Sequence, residues 1–236
     1  MDFLEQLMET YHIPAKFLDI LCDFYESYIE EGQASGMPKM VLEDTFKRYI
    51  SLVQDQFRSP YSFEIYHRRV KAPFDYYSFG NEFIRPIVDK KGSSILYGYN
   101  LDTIAQQLRD KENVVFFANH QSEIDPQIIS LLLEESHPDI AEEMVFVAGE
   151  RVIKDPLAIP LSYGRDLLCV YSKRHMENPP EEKAEKQQHN RKTMNMMNSL
   201  LAQGGKCIYV APSGGRDRKN KGGVIEVAPF DCQTLE

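Results

Sequence analysis

The sequence predicts an α/β protein: a largely parallel or mixed sheet flanked by helices and preceded by a small N-terminal helical bundle. Three observations predict it. The first sixty residues carry apolar side chains at helical spacing, with little β-favouring alternation. From about residue 83, short apolar runs alternate with helical stretches, the pattern of βαβ units. A chain of 236 residues that is 42% hydrophobic has enough apolar material for one sizeable α/β core and a small accessory unit.

The elements follow in order. After Pro14, residues Phe17, Leu21, Phe24 and Tyr28 recur at helical intervals, and proline suits a first helical turn. After Pro38 the pattern returns in Leu42, Phe46, Tyr49, Ile50, Val53 and Phe57, with Gly32 and Gly36 separating the two helices. These stripes read as the core of a bundle over residues 1–60, and Arg58-Ser59-Pro60-Tyr61 closes it. Residues 61–82, rich in aromatics and turns (Pro73, Phe74, Tyr76, Tyr77, Phe79), form a connecting segment. Residues 83–236 form the α/β domain. Its predicted strands are Val114–Ala118, Met144–Ala148, Leu167–Tyr171 and Cys207–Ala211. Its predicted helices are Leu101–Asp110, Pro126–Glu135 and Glu182–Gln203, the last stopped by Gly204-Gly205.

Composition excludes several classes of function. The apolar runs fall far short of the ~20 residues of a membrane-spanning helix. The acidic N-terminus matches neither a secretory signal nor a transit peptide. Four cysteines (22, 169, 207 and 232) lack C-x-x-C spacing, and Cys169 and Cys207 sit in apolar runs, as buried free thiols do in a reducing compartment. The expectation is a soluble intracellular protein. A net charge of −9 argues against nucleic-acid binding. Yet residues 206–221 gather Lys206, Arg216, Arg218, Lys219 and Lys221 against one Asp217, the balance of a loop that holds an anion.

Ligands of an open parallel sheet bind outside the carboxyl ends of its strands. The residues that follow each predicted strand are therefore informative: Asn119-His120 with Asp125, then Gly149-Glu150-Arg151, then Ser172-Lys173-Arg174-His175, then Pro212-Ser213-Gly214-Gly215-Arg216-Asp217-Arg218. If the sheet is parallel, an acid–base pair and two sets of cations converge on one rim. The His-x-x-x-x-Asp spacing by itself is weak. Five helical residues turn through about 500°, so the two side chains meet only across a turn. Pro126 favours such a turn, because it suits a first helical position and disfavours helix at the residue before it. Asp125 is then also the expected helix N-cap, a role compatible with orienting His120 because a carboxylate has two oxygens. The glycine-rich segment is neither a Walker loop nor a nucleophile elbow. Arg216 and Arg218 alternate around Asp217, as suits bidentate capture of a phosphate, with Arg174 and His175 completing the cage and Lys173 facing the other way.

Taken together, F-G-N-E-F-I-R-P, N-H-Q-S-E-I-D-P-Q-I-I-S-L-L-L-E, F-V-A-G-E-R-V, D-P-L, C-V-Y-S-K-R-H-M and A-P-S-G-G-R-D-R, in order between about Tyr76 and Asp231, resemble the soluble, plant-chloroplast type of glycerol-3-phosphate 1-O-acyltransferase. The resemblance implies a helical bundle before an α/β domain and transfer of a fatty acyl group to the sn-1 hydroxyl of glycerol 3-phosphate. It implies His120 and Asp125 as the catalytic pair, and Arg174, His175, Arg216 and Arg218 as the holders of the acceptor phosphate. Position 174 carries lysine in that family, so arginine here keeps the charge and changes its reach. Acyl carrier protein, or coenzyme A, is the implied thioester donor. No cofactor and no metal ligand is expected. Candidate basic patches for an acidic carrier are Arg68, Arg69 and Lys71, or Lys219 and Lys221. The setting implied is a bacterial cytoplasm or the chloroplast stroma, with product delivered to a membrane surface. Because the family's α/β domain continues for roughly another hundred residues, the chain is expected to be incomplete at its C-terminus. Two alternatives stand beside this reading: a lysophosphatidate acyltransferase sharing the His/Asp pair, and a non-catalytic fragment that binds a phosphate ligand.

Overall fold

The structure, a computed structural model, describes residues 3–172, 176–213 and 215–232. Helix α1 (Phe3–Thr10) leads through a short 3-10 turn into α2 (Leu18–Ala34), and α3 (Lys39–Arg58) follows. The predicted stripes face inward: Leu21, Tyr28, Phe46, Tyr49, Ile50 and Val53 are buried together. Gly32, expected between the helices, instead lies inside α2. A Cβ there would stand 2.5 Å from Leu42 Cδ2, so the glycine lets α2 and α3 approach. The break falls to Gly36, whose φ of +92° suits a residue without a side chain.

Strand β1 (Tyr66–His67) precedes α4 (Tyr76–Ile84), which is capped by Asp75 accepting from the Ser78 amide at 3.0 Å. Phe79, Phe83 and Ile84 of α4 join the same apolar cluster as the bundle helices. Then come α5 (Tyr99–Arg109), β2 (Val114–Phe117), α6 (Asp125–Leu133), α7 (Pro138–Glu143), β3 (Val145–Gly149), α8 (Glu150–Lys154), α9 (Ile159–Ser162) and β4 (Asp166–Val170). The long helix α10 (Lys183–Gln203), strand β5 (Cys207–Val210) and a small hairpin, β6 (Arg218–Lys219) with β7 (Ile225–Glu226), complete the order.

The five-stranded sheet runs β1-β4-β3-β5-β2. The four strands expected from sequence are mutually parallel, in register Val114↔Cys207 and Val145↔Asp166. β1 adds itself antiparallel to β4 through Tyr66↔Leu168, so the sheet is mixed. Side chains alternate between two layers, as the pleat requires. Phe146, Leu167, Cys169, Cys207 and Tyr209 pack with Leu101, Leu133, Ile140 and Met144 on one face. Val145, Leu168 and Ile208 pack under Leu200, Met196 and Met197 of α10 on the other. Gly204 and Gly205 end α10 with φ of +71° and +70°, close against Lys111 and Leu108. Among the described residues, no helix is long and apolar enough to cross a membrane.

Candidate active site

Because β2 and β5 run parallel, their carboxyl ends open on the same rim. β2 delivers Asn119 and His120 there, and β5 delivers the loop that carries Arg216, Asp217 and Arg218. The turn between β2 and α6 folds around Asp125. His120 Nδ1 lies 2.7 Å from Asp125 Oδ2, and the same carboxylate accepts from the amides of Gln121 (3.1 Å) and Ser122 (3.0 Å). An ionised carboxylate can only accept, so Nδ1 is the nitrogen that donates to it, and Nε2 is the nitrogen turned toward the depression's side of the site. Asp125 is not the helix N-cap that the sequence led us to expect. Ile124 holds that position and Asp125 is the first helical residue, with its side chain turned back onto the preceding loop. The physical reason is Pro126, which needs no amide partner in the first turn and leaves the carboxylate free for the loop's donors.

The loop that carries Arg216 and Arg218 is tied to the same turn through Asp217. The Asp217 amide donates to the His120 carbonyl at 2.7 Å, and its carboxylate accepts from Asn119 Nδ2 at 2.6 Å and from the Ala228 amide at 2.9 Å. The Asn119 hydrogen bond, then that of Ala228, hold the Asp217 carboxyl below its ordinary range. Below this junction Tyr209 donates its hydroxyl to the Asn119 carbonyl at 3.1 Å. Burial, reinforced by the charges of Asp125 and Asp217, pushes that phenol up to about 12, so it stays a donor.

Arg216 and Arg218 line one depression of ≈ 370 Å³, together with Gln121, Asp217 and Lys219. Glu123 stands between the two halves of the site: Oε2 is 3.8 Å from His120 Nε2, and Oε1 is 3.5 Å from Arg216 Nε. Arg218 has no carboxylate within ion-pair distance among the described residues. The structure thus brings His120, Asp125, Arg216 and Arg218 together on one rim. Lys173, Arg174 and His175 lie outside the described residues. Sequence reasoning gave no role to Glu123, Asn119 or Tyr209. A sequence signal existed for the first two, since both flank His120 in the turn, whereas Tyr209 reads only as a strand residue.

Elsewhere, one candidate docking patch is engaged. Arg69 binds Asp166 at 2.9 Å and Glu142 at 3.3 Å, and Lys71 binds Glu142 at 2.8 Å. Lys219 and Lys221 remain exposed.

A family model described as Acyltransferase matches residues 101–231, which contain the whole of this rim. The chain is 38% identical, over 240 residues, to the chloroplastic glycerol-3-phosphate acyltransferase ATS11 of Cucurbita moschata, covering 100% of this chain and 54% of that protein. It is 39% identical over 233 residues to the chloroplastic glycerol-3-phosphate acyltransferase of Arabidopsis thaliana, covering 97% and 50%. A second Cucurbita moschata protein, ATS12, is 42% identical over 222 residues, covering 91% and 47%. The chain spans about half the length of the curated relatives it matches. With the family model covering residues 101–231, more than half of its length, this chain belongs to the acyltransferase family.

Proposed function

We propose that this chain carries the acceptor-binding and proton-transfer groups of a glycerol-3-phosphate 1-O-acyltransferase. The observation that carries the reading is the 2.7 Å contact of His120 with Asp125, joined through Asp217 to a depression lined by two arginines. The relatives' names support glycerol 3-phosphate as the acceptor.

An alcohol is a poor nucleophile near neutral pH, so the sn-1 hydroxyl needs a base at the moment of attack. Nε2 of His120 takes its proton as the oxygen bonds to the thioester carbonyl carbon. Asp125 stabilises the imidazolium that forms, the logic of a hydrolase triad with the acceptor hydroxyl in place of serine. The tetrahedral intermediate collapses with cleavage of the C–S bond, and the imidazolium proton passes to the departing thiolate. The Gln121 and Ser122 amides already serve Asp125, so the oxyanion draws its donors from elsewhere. Arg216 and Arg218 neutralise the acceptor phosphate in ground state and transition state alike. Every step uses groups of this chain and its two substrates, with no cofactor. The donor is the thioester of acyl carrier protein or coenzyme A. The exposed Lys219 and Lys221 beside the site favour an acidic carrier. The activity belongs to the stroma or to a bacterial cytoplasm.

The test is thiol release from an acyl thioester with and without sn-glycerol 3-phosphate. Acceptor-dependent release is expected from the wild-type chain, falling ~10²–10⁴-fold in His120→Ala. Arg216→Ala and Arg218→Ala are expected to raise KM for the acceptor ~10-fold or more, with kcat little changed. Near-normal turnover in His120→Ala removes the base assignment. Release that requires lysophosphatidate in place of glycerol 3-phosphate replaces the acceptor.

A further inference from the structure

Asp217 is an odd residue to find between two phosphate-binding arginines. A carboxylate there repels the ligand the arginines attract, and it is well placed to neutralise them. It does neither of these things with its hydrogen bonds. Oδ2 is taken by Asn119 Nδ2 at 2.6 Å and Oδ1 by the Ala228 amide at 2.9 Å, while its own amide reaches the His120 carbonyl at 2.7 Å. Two of these three bonds end on His120 and the residue before it.

The consequence is metric. Successive Cα atoms are about 3.8 Å apart, so Arg216 and Arg218 are each one residue from a position pinned to the backbone of the base. The Asn119 end of the strut is itself held, because its carbonyl accepts from the Tyr209 hydroxyl at 3.1 Å. The Ala228 bond anchors the far side, where the chain returns after the β6–β7 hairpin. A charged acceptor makes these bonds stronger than neutral ones, so the loop resists sliding along the rim. In glycerol 3-phosphate the reacting hydroxyl and the phosphate ester oxygen are separated by three carbons. A rigid separation between arginines and imidazole therefore reads that length.

We propose that Asp217, together with Asn119, is a specificity-determining positioning residue that fixes the separation between the acceptor's phosphate and the hydroxyl that His120 deprotonates, selecting acceptors of three-carbon spacing. The proposal rests on the acyltransferase reading above. Neither residue transfers a proton or touches the reacting atoms; both act by holding Arg216 and Arg218 at a set distance from Nε2.

The experiment measures kcat/KM for acyl transfer from one thioester donor to 2-hydroxyethyl phosphate, 3-hydroxypropyl phosphate, sn-glycerol 3-phosphate and 4-hydroxybutyl phosphate. Wild type, Asp217→Asn and Asn119→Ala are compared as full chains. Because a misplacement of about 1 Å costs on the order of 100-fold, the wild type is expected to prefer the three-carbon acceptors at least ~10-fold over both neighbours. In the variants the loop is free to adjust, and that preference is expected to fall toward unity. A uniform loss across all four acceptors with the preference intact assigns the strut a merely structural role and overturns the proposal. So does a preference that stays unchanged in active variants. Asn119→Ala removes one hydrogen bond and leaves the other two, so it serves if Asp217→Asn does not fold. An active wild type without length preference sinks the ruler alone, whereas a wild type that acylates none of these acceptors sinks the function with it.

Discussion

Asp125 does two things with one carboxylate. Oδ2 meets His120 and the Gln121 amide, and Oδ1 takes the Ser122 amide. Asp125→Asn separates these roles. The amide oxygen still accepts from one loop donor, but the side chain no longer carries the charge that stabilises an imidazolium. Turnover is expected to fall ~10²–10⁴-fold while the thermal midpoint moves by a few degrees at most. A variant that loses its fold together with its activity shows instead that Asp125 is mainly a loop brace. Steady-state kinetics beside a melting curve decides it.

At the scale of elements, the helix that carries Asp125 is set by buried polar contacts from its neighbours. Arg165, between α9 and β4, is 3% exposed. It donates to Ser130 of α6 at 2.5 Å and to Asn81 of α4, and its guanidinium lies 4.6 Å from the Tyr77 ring centre. Burial lowers it to about 10, against the opposing pull of Tyr77 and Glu142. Its Nε has no hydrogen-bond partner among the described residues. Asn81→Ala strips a further bond from a buried cation and is expected to cost ~1–3 kcal/mol in urea denaturation; a neutral result means that water or a neighbour replaces Asn81. Gly164, one residue earlier, has no room for a side chain, since a Cβ there would meet the Tyr76 carbonyl oxygen at 2.5 Å. That obstacle is backbone, so Gly164→Ala must push α4 away from the entry to β4. A loss of ~1–3 kcal/mol is expected, and an unchanged midpoint overturns that close packing. Gln127 completes the bracing of α6 by donating to the Leu161 carbonyl at 3.1 Å.

For the whole molecule, acid sensitivity has an identifiable contributor. Glu134, just past the end of α6, receives both ends of the Arg85 fork, at 2.5 and 2.7 Å, and Lys90 at 2.5 Å. The Arg85 hydrogen bonds hold its carboxyl down at about 2. A depressed carboxylate stabilises the fold fully above its ordinary value of about 4.3 and loses that contribution as pH falls through the depressed one. Folding stability is therefore expected to decline between about pH 4 and pH 2, and Glu134→Gln is expected to flatten that part of the profile. A denaturation series across this range, showing the same slope in both proteins, would falsify the assignment. The outer strand β2 leaves Val115 and Phe117 40% and 50% exposed on the α10 face of the sheet. An apolar edge invites pairing with other chains. Phe117→Lys is expected to lower self-association of this chain at high concentration, as read by light scattering.

The sequence by itself determined the elements whose signals are local. Apolar periodicity placed α2 and α3, and β-favouring runs placed four strands within about a residue of their observed ends. Pro126 marked the turn at His120, and the glycines after α10 marked its stop. Tertiary structure decided what no local pattern carries. The two-residue β1 is too short for periodicity and exists only because β4 offers it an edge. Gly32 reads as a breaker, yet it is a packing site, because helix propensity yields to the contact with Leu42. Asp125 reads as a cap, yet its carboxylate goes to a histidine five residues back, where a charged acceptor and three donors outweigh one cap bond. Asp217 and Asn119 lie 98 positions apart and meet only because parallel β2 and β5 end side by side. Residue types and spacing announce a candidate acid–base pair and a cation-rich loop; only the sheet sets the distance between them.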